Sequence, residues 1–256
     1  MERRKFVGST LMAATALVAK QPVEKSASEK AVFELREYEM HFGASENDLH
    51  TFFEKALIPA LNKAGVKNVG VFKESGKSEP VKIYLLIAYT GWNDIPVVAS
   101  RLHNSEEYNT AATNYMNISP EKVPFTRYSS RLMWAFDGFP QLSVPPAGPR
   151  IFELRTYEGY NEDAVRRKIK MFNDEELKIF ARTKLNPVFF GEVVAGKDLP
   201  CLTYMLVFSN MEERDRNWAA FGADAGWKRI SSSPAYANTV SKITKIFLEP
   251  LPYSQV

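Results

Sequence analysis

Cysteine is almost missing from this chain. Cys201 is the single copy in 256 residues, so no disulfide can form within the molecule, and its place at the head of an apolar run suits a small buried side chain better than a reactive thiol. Histidine is equally scarce. His41, His50 and His103 stand too far apart for any metal-ligand spacing, so no metal site is expected. The glycines are dispersed, which excludes a phosphate-cradling loop, and no serine sits on a strand-to-helix elbow with a base in reach. Charge of one sign is also lacking: 33 basic and 30 acidic residues give +3, and they interleave instead of forming a basic stripe, which argues against a nucleic-acid partner. Nor is there an apolar run long enough to span a bilayer, so no stable membrane span is expected after processing.

What the chain has is a processing segment followed by a repeat. Arg3-Arg4-Lys5-Phe6-Val7 precedes a mildly apolar stretch from Leu11 to Ala19, the pattern of a twin-arginine export signal, with Ala16 and Ala19 as cleavage points. Residues 1–19 are therefore expected to be a signal peptide and 20–30 a spacer, and the protein is expected to be periplasmic or secreted from a bacterium. Val32-Phe33-Glu34-Leu35-Arg36-Glu37-Tyr38-Glu39 then returns 119 positions later as Ile151-Phe152-Glu153-Leu154-Arg155-Thr156-Tyr157-Glu158, with six identities. Tyr84-Leu85-Leu86-Ile87 likewise meets Tyr204-Met205-Leu206-Val207.

Each copy reads strand, helix, two strands, further helix, strand, the order of a ferredoxin-like unit. Units are expected over 31–136 and 150–250, joined by the linker 137–149 with its Pro140, Pro145, Pro146 and Pro149. The fold class is thus α+β, two tandem ferredoxin-like units packed sheet to sheet as a pseudo-twofold α/β barrel, with room for a homo-oligomer. Ser45 and Asp48 form a capping box before the first long helix, and Pro59 is expected to interrupt that helix. About seven extra residues are expected in the first copy, between Thr110 and Pro124.

Alternation along the first strand sets Phe33 and Leu35 against Glu34, Arg36 and Tyr38, and in the second copy Phe152 and Leu154 against Glu153, Arg155 and Tyr157. If the apolar pairs face the helices, the six polar residues form a cluster between the sheets, either an ion-pair lattice across the pseudo-twofold axis or a ligand site. His50, opposite Ile169 in the second copy, is either a hydrogen-bonded core residue, a pocket base or an axial haem ligand. Trp92, Trp134, Trp218 and Trp227 suit core filling, with Trp227 a candidate pocket wall.

The repeated Phe-Glu-Leu-Arg-x-Tyr-Glu opening, the Tyr204-Met205-Leu206-Val207-Phe208 strand and the following Trp227 resemble the NIPSNAP family. The resemblance implies a dimeric α/β-barrel fold akin to small monooxygenases, in a family without an established reaction, and partners in mitochondria and vesicle trafficking that an exported chain would not meet. Two functions follow as expectations. One is binding of a small apolar or aromatic molecule, or of a protein partner. The other is a cofactor-independent oxygenase, or a haem-handling enzyme with His50 as ligand. No other cofactor is called for.

Overall fold

A computed structural model describes residues 30–76 and 79–256; the expected export signal and nearly all of the expected spacer lie outside the described residues. Eight strands run in chain order: β1 (Val32–Met40), β2 (Val69–Glu74), β3 (Lys82–Tyr89), β4 (Phe125–Ala135), β5 (Ile151–Glu158), β6 (Asn186–Ala195), β7 (Cys201–Phe208) and β8 (Lys242–Pro250). They close into one antiparallel barrel in the order β1-β3-β2-β8-β5-β7-β6-β4. Each half contributes four neighbours. The halves join edge to edge, β2 on β8 (Lys73 opposite Glu249) and β4 on β6 (Trp134 opposite Glu192), so no sheet edge is left open. At the second junction a side chain on Gly191 would meet Met133 Cβ at 2.7 Å, which is why the chain carries none there.

The main helix of each half is interrupted in the same way. Helix α1 (Asn47–Phe52) passes through a π turn, Phe53–Leu57, into α2 (Ile58–Lys63); α6 (Glu162–Met171) passes through Phe172–Glu176 into α7 (Leu177–Arg182). Pro59 stands in the first turn of α2, where proline is tolerated, but the second half has Lys178 at that place and the same π turn. The interruption belongs to the repeat, not to the proline. Asn161 caps α6 through Ala164 N at 2.9 Å, whereas Ser45 accepts only from Asn47 N at 3.3 Å and the capping box does not form.

Shorter helices follow β3 and β7: α3 (Asp94–His103), α4 (Glu106–Ala111) and α5 (Thr113–Met116) in the first half, α8 (Met211–Ala223) and α9 (Ala225–Ser231) in the second. Helix α5 has no counterpart and carries the insertion. Strand registers put it at four residues instead of seven, because the offset between copies falls from 119 at Glu34 and Glu153 to 115 at their partners Leu132 and Phe247.

Three apolar clusters hold the molecule together. One lies inside the barrel and draws on both halves, with Phe33, Leu35, Phe72, Leu86, Met133, Phe152, Leu154, Phe189 and Met205 among its members. Ring pairs Phe33–Phe189 (5.1 Å) and Phe72–Phe152 (4.9 Å) cross it. The other two fill the layers between helices and sheet, one per half. The apolar members of β1 and β5 therefore face the lumen, and Glu34, Arg36, Tyr38 and their repeats face the helices, opposite to the sequence expectation. A closed eight-stranded barrel has an interior just wide enough for side chains to fill, and apolar ones fill most of it.

Candidate functional site

Because the polar residues point outward, they form two clusters instead of one. In the first half Glu34 receives Arg36 Nε at 2.6 Å and Nη2 at 3.2 Å, Tyr89 Oη at 3.0 Å and Ser130 Oγ at 3.0 Å. Burial alone would raise the Glu34 carboxyl, but the hydrogen bonds and charge of Arg36, with Tyr89 and Ser130, hold it below the usual carboxylate value. Arg36 is held above its ordinary value by the same pair despite its burial. In the second half Glu153 receives Arg155 Nη1 at 3.0 Å, Arg214 Nε at 2.9 Å and Nη2 at 3.0 Å, and Trp218 Nε1 at 2.8 Å. Each arginine of the repeated motif pairs within its own copy. Tyr38 stacks on Tyr128, and Tyr157 shares a hydrogen bond of 2.8 Å with Tyr204.

What lies above the two clusters differs. Over Glu34 and Arg36 opens a cavity of about 750 Å³, walled by Phe52, Leu57, Leu61, Ile95, Ala99, Leu102 and Tyr108, with Met116 from the inserted α5 and Gly196 from the β6–β7 turn at its rim. Gly196 sits at φ +142, and a side chain there would meet the Arg131 backbone at 3.1 Å. Over Glu153 and Arg155 the space is full. Trp218 packs on Phe180 (6.0 Å) and Phe221 (5.4 Å), and Phe221 on Trp227 (4.5 Å).

The 119-residue offset continues into this region: Thr90 hydrogen-bonds Asp94 as Ser209 does Glu213. It matches Leu61 with Phe180, Ala99 with Trp218, Leu102 with Phe221 and Tyr108 with Trp227. At all four positions the first half has the smaller side chain, and all four line its cavity. That difference in size was readable in the repeat; that it accumulates on one wall was not. Trp227 is therefore packing, and the open wall belongs to its counterpart Tyr108.

His50 lines none of the described cavities. Its Nδ1 lies 2.6 Å from Tyr253 Oη and its Nε2 3.1 Å from Glu46 Oε2, so both ring nitrogens have hydrogen-bond partners. It sits at the edge of the first-half core, reached by Tyr253, which packs on that core. Inside the barrel a small polar space of about 40 Å³ lies among Glu37, Tyr84, Ser129, Arg131, Thr156 and Asp198. Among the described residues no group of three or more His, Cys, Asp or Glu side chains is placed to hold a metal, and no helix is long and apolar enough to cross a membrane. Cys201 is buried, and burial pushes its thiol up to about 11.

The family model for NIPSNAP matches residues 152–255, which span the strands, helices and Glu153 cluster of the second copy. That stretch is similar to the NIPSNAP family. No curated relative matches it. Among solved structures, a candidate monooxygenase from Fusobacterium nucleatum is similar over 87% of this chain and 93% of its own, at 9% identity and a TM-score of 0.56. One from Lactobacillus acidophilus is similar over 87% and 94%, at 10% identity and 0.54. Both show the barrel fold of the whole chain and nothing finer. A NIPSNAP-like domain protein from Burkholderia xenovorans is similar over 41% of this chain and 88% of its own, at 18% identity and 0.37. The stretch that the NIPSNAP model matches is thus the filled half, and the cavity is walled mainly by the other copy.

Proposed function

We propose that this protein binds one small, largely apolar molecule in the first-half cavity, and that the NIPSNAP domain serves as the rigid half of the barrel that supports it. The observation that carries this reading is the set of four matched positions at which the first half alone has given up side-chain volume around a satisfied Glu34–Arg36 pair. Apolar walls with a few convergent polar groups are the usual make-up of a ligand pocket. The strand order within each half, β4-β1-β3-β2 and β8-β5-β7-β6, supports two ferredoxin-like units from one duplication.

Ala99→Trp tests the reading, since it restores the side chain that closes the second half. An environment-sensitive naphthalene dye should bind the natural protein at one per chain, and the variant at least about tenfold more weakly with its melting temperature kept. Equal binding by both would sink the proposal. Two fold relatives carry monooxygenase names, so oxygen uptake belongs in the same experiment; uptake that Ala99→Trp abolishes would make the protein an enzyme. The lining favours binding: His103 also lines the cavity, but Ser130 hydrogen-bonds the carboxylate of Glu34 and not that imidazole.

Export completes the proposal and rests on Arg3 and Arg4. The route reads the arginine pair itself, so changing both to lysine should retain precursor in the cytoplasm. Normal periplasmic yield from that variant would argue against it.

A further inference from the structure

The filled half shows what the hollow half is shaped to receive. Trp218 lays its indole over the Arg155 guanidinium, 4.2 Å from ring centroid to Cζ, while its Nε1–H supplies one of the four hydrogen bonds that Glu153 accepts. The matched residue is Ala99, which leaves that volume empty beside Arg36. Arg36 is correspondingly less covered: its side chain is 22% exposed against 10% for Arg155. On this basis, and resting on the binding role proposed above, we infer that the ligand is an uncharged, planar aromatic of about two fused rings that stacks on Arg36 where Trp218 stacks on Arg155.

The carboxylates refine the chemistry. Glu153 needs Trp218 and Arg214 to complete its four bonds, but Glu34 has its four from Arg36, Tyr89 and Ser130. A carboxylate offers about four lone-pair sites, so Glu34 has none to give a ligand. Recognition in the first half therefore rests on the ring face against the guanidinium and on the apolar walls, without a donor on the ligand. Glu34 and Arg36 also cancel in charge, so the floor attracts neither an anion nor a cation strongly. A guanidinium over an aromatic face in a desolvated setting is worth several-fold to some tens-fold in affinity.

The probes are 2-naphthol and decahydro-2-naphthol, which share a carbon skeleton and a hydroxyl and differ in the π face. The saturated compound is no less apolar, so burial alone predicts no preference for the aromatic one. Calorimetric titration of the full chain should show 2-naphthol binding about tenfold more tightly. The double variant Glu34→Gln with Arg36→Met, which avoids orphaning a buried carboxylate, should bind both alike. Equal affinity of the natural protein for both would overturn the aromatic inference and leave the cavity reading standing; binding of neither would overturn both. Should the double variant not fold, the Arg36 Nε–H resonance of the natural protein decides. It should move upfield by ring current when 2-naphthol is added, and an unmoved resonance at saturation overturns the stacking.

Discussion

At four matched places the second half of the barrel carries Phe180, Trp218, Phe221 and Trp227, and the first carries Leu61, Ala99, Leu102 and Tyr108. Both halves keep the strand order, the π turn and the Glu-x-Arg pair, and they share one interior core. The backbone plan is therefore indifferent to whether the helix–sheet layer is filled. Such a barrel can divide the work: one half retains aromatic packing, while the other gives up side-chain volume for a cavity that the closed barrel holds open. The comparison extends to charge. Lys168 and Glu176, both buried and 2.6 Å apart, occupy the places of Leu49 and Leu57. The ammonium is ringed by Phe172, Trp227 and Tyr157 at 4.5, 5.5 and 5.8 Å.

That pair gives the largest expected effect. Burial pushes the Glu176 carboxyl up even with Lys168 beside it, the mark of a pair whose desolvation is only partly offset. Lys168→Leu alone should cost about 3–5 kcal/mol in urea unfolding, because it strands a buried carboxyl. The double change to Leu at both positions copies the first half and should recover most of that loss or exceed the natural stability. If the double variant is as unstable as the single, the two halves are not interchangeable in their cores and the matched-position comparison breaks.

A smaller effect is expected at His50, where the second half has Ile169. The repeat alone suggests that leucine at His50 would be neutral or stabilising. The structure says otherwise, because the imidazole joins Tyr253 to Glu46, and Glu46 also holds Lys73 at 2.7 Å. His50→Leu should lose about 1 kcal/mol, the net worth of a partly buried hydrogen bond or two. No loss would restore the simpler reading of a hydrocarbon site. Tyr253 lies 203 residues away, and nothing local in the sequence connects it to His50.

The same contrast explains what was legible in the chain. The order of strands and helices along the chain was legible in periodicity and repetition. The direction of β1 and β5 was misread because neither face meets water: one is covered by helices, the other by the opposing strands, so alternation could not say which face is the lumen. The cavity was half legible. Four shrunken side chains stood in the alignment of the copies, but only the packing of α2, α3 and α4 over the sheet turns them into one wall.

The smallest effect concerns acid, and it separates the halves by sign. Glu34 titrates below its unfolded value of about 4.5, so its contribution is fully present above that pH and is lost as pH falls through the lower folded-state value. Glu176 is raised, so the folded form holds its proton more tightly, and stability falls as pH climbs from about 4.5 through the folded-state value. Glu34→Gln will lower stability where Glu34 is ionised in the natural protein, and the difference should shrink in acid, so the slope is the informative quantity. Melting temperatures taken between about pH 3 and pH 5 should fall less steeply with acid in the variant than in the natural protein. An unchanged slope would mean that Glu34 is not held ionised by Arg36, Tyr89 and Ser130 in the first half, and the floor of the cavity would have to be redrawn with a neutral carboxyl able to donate to a ligand.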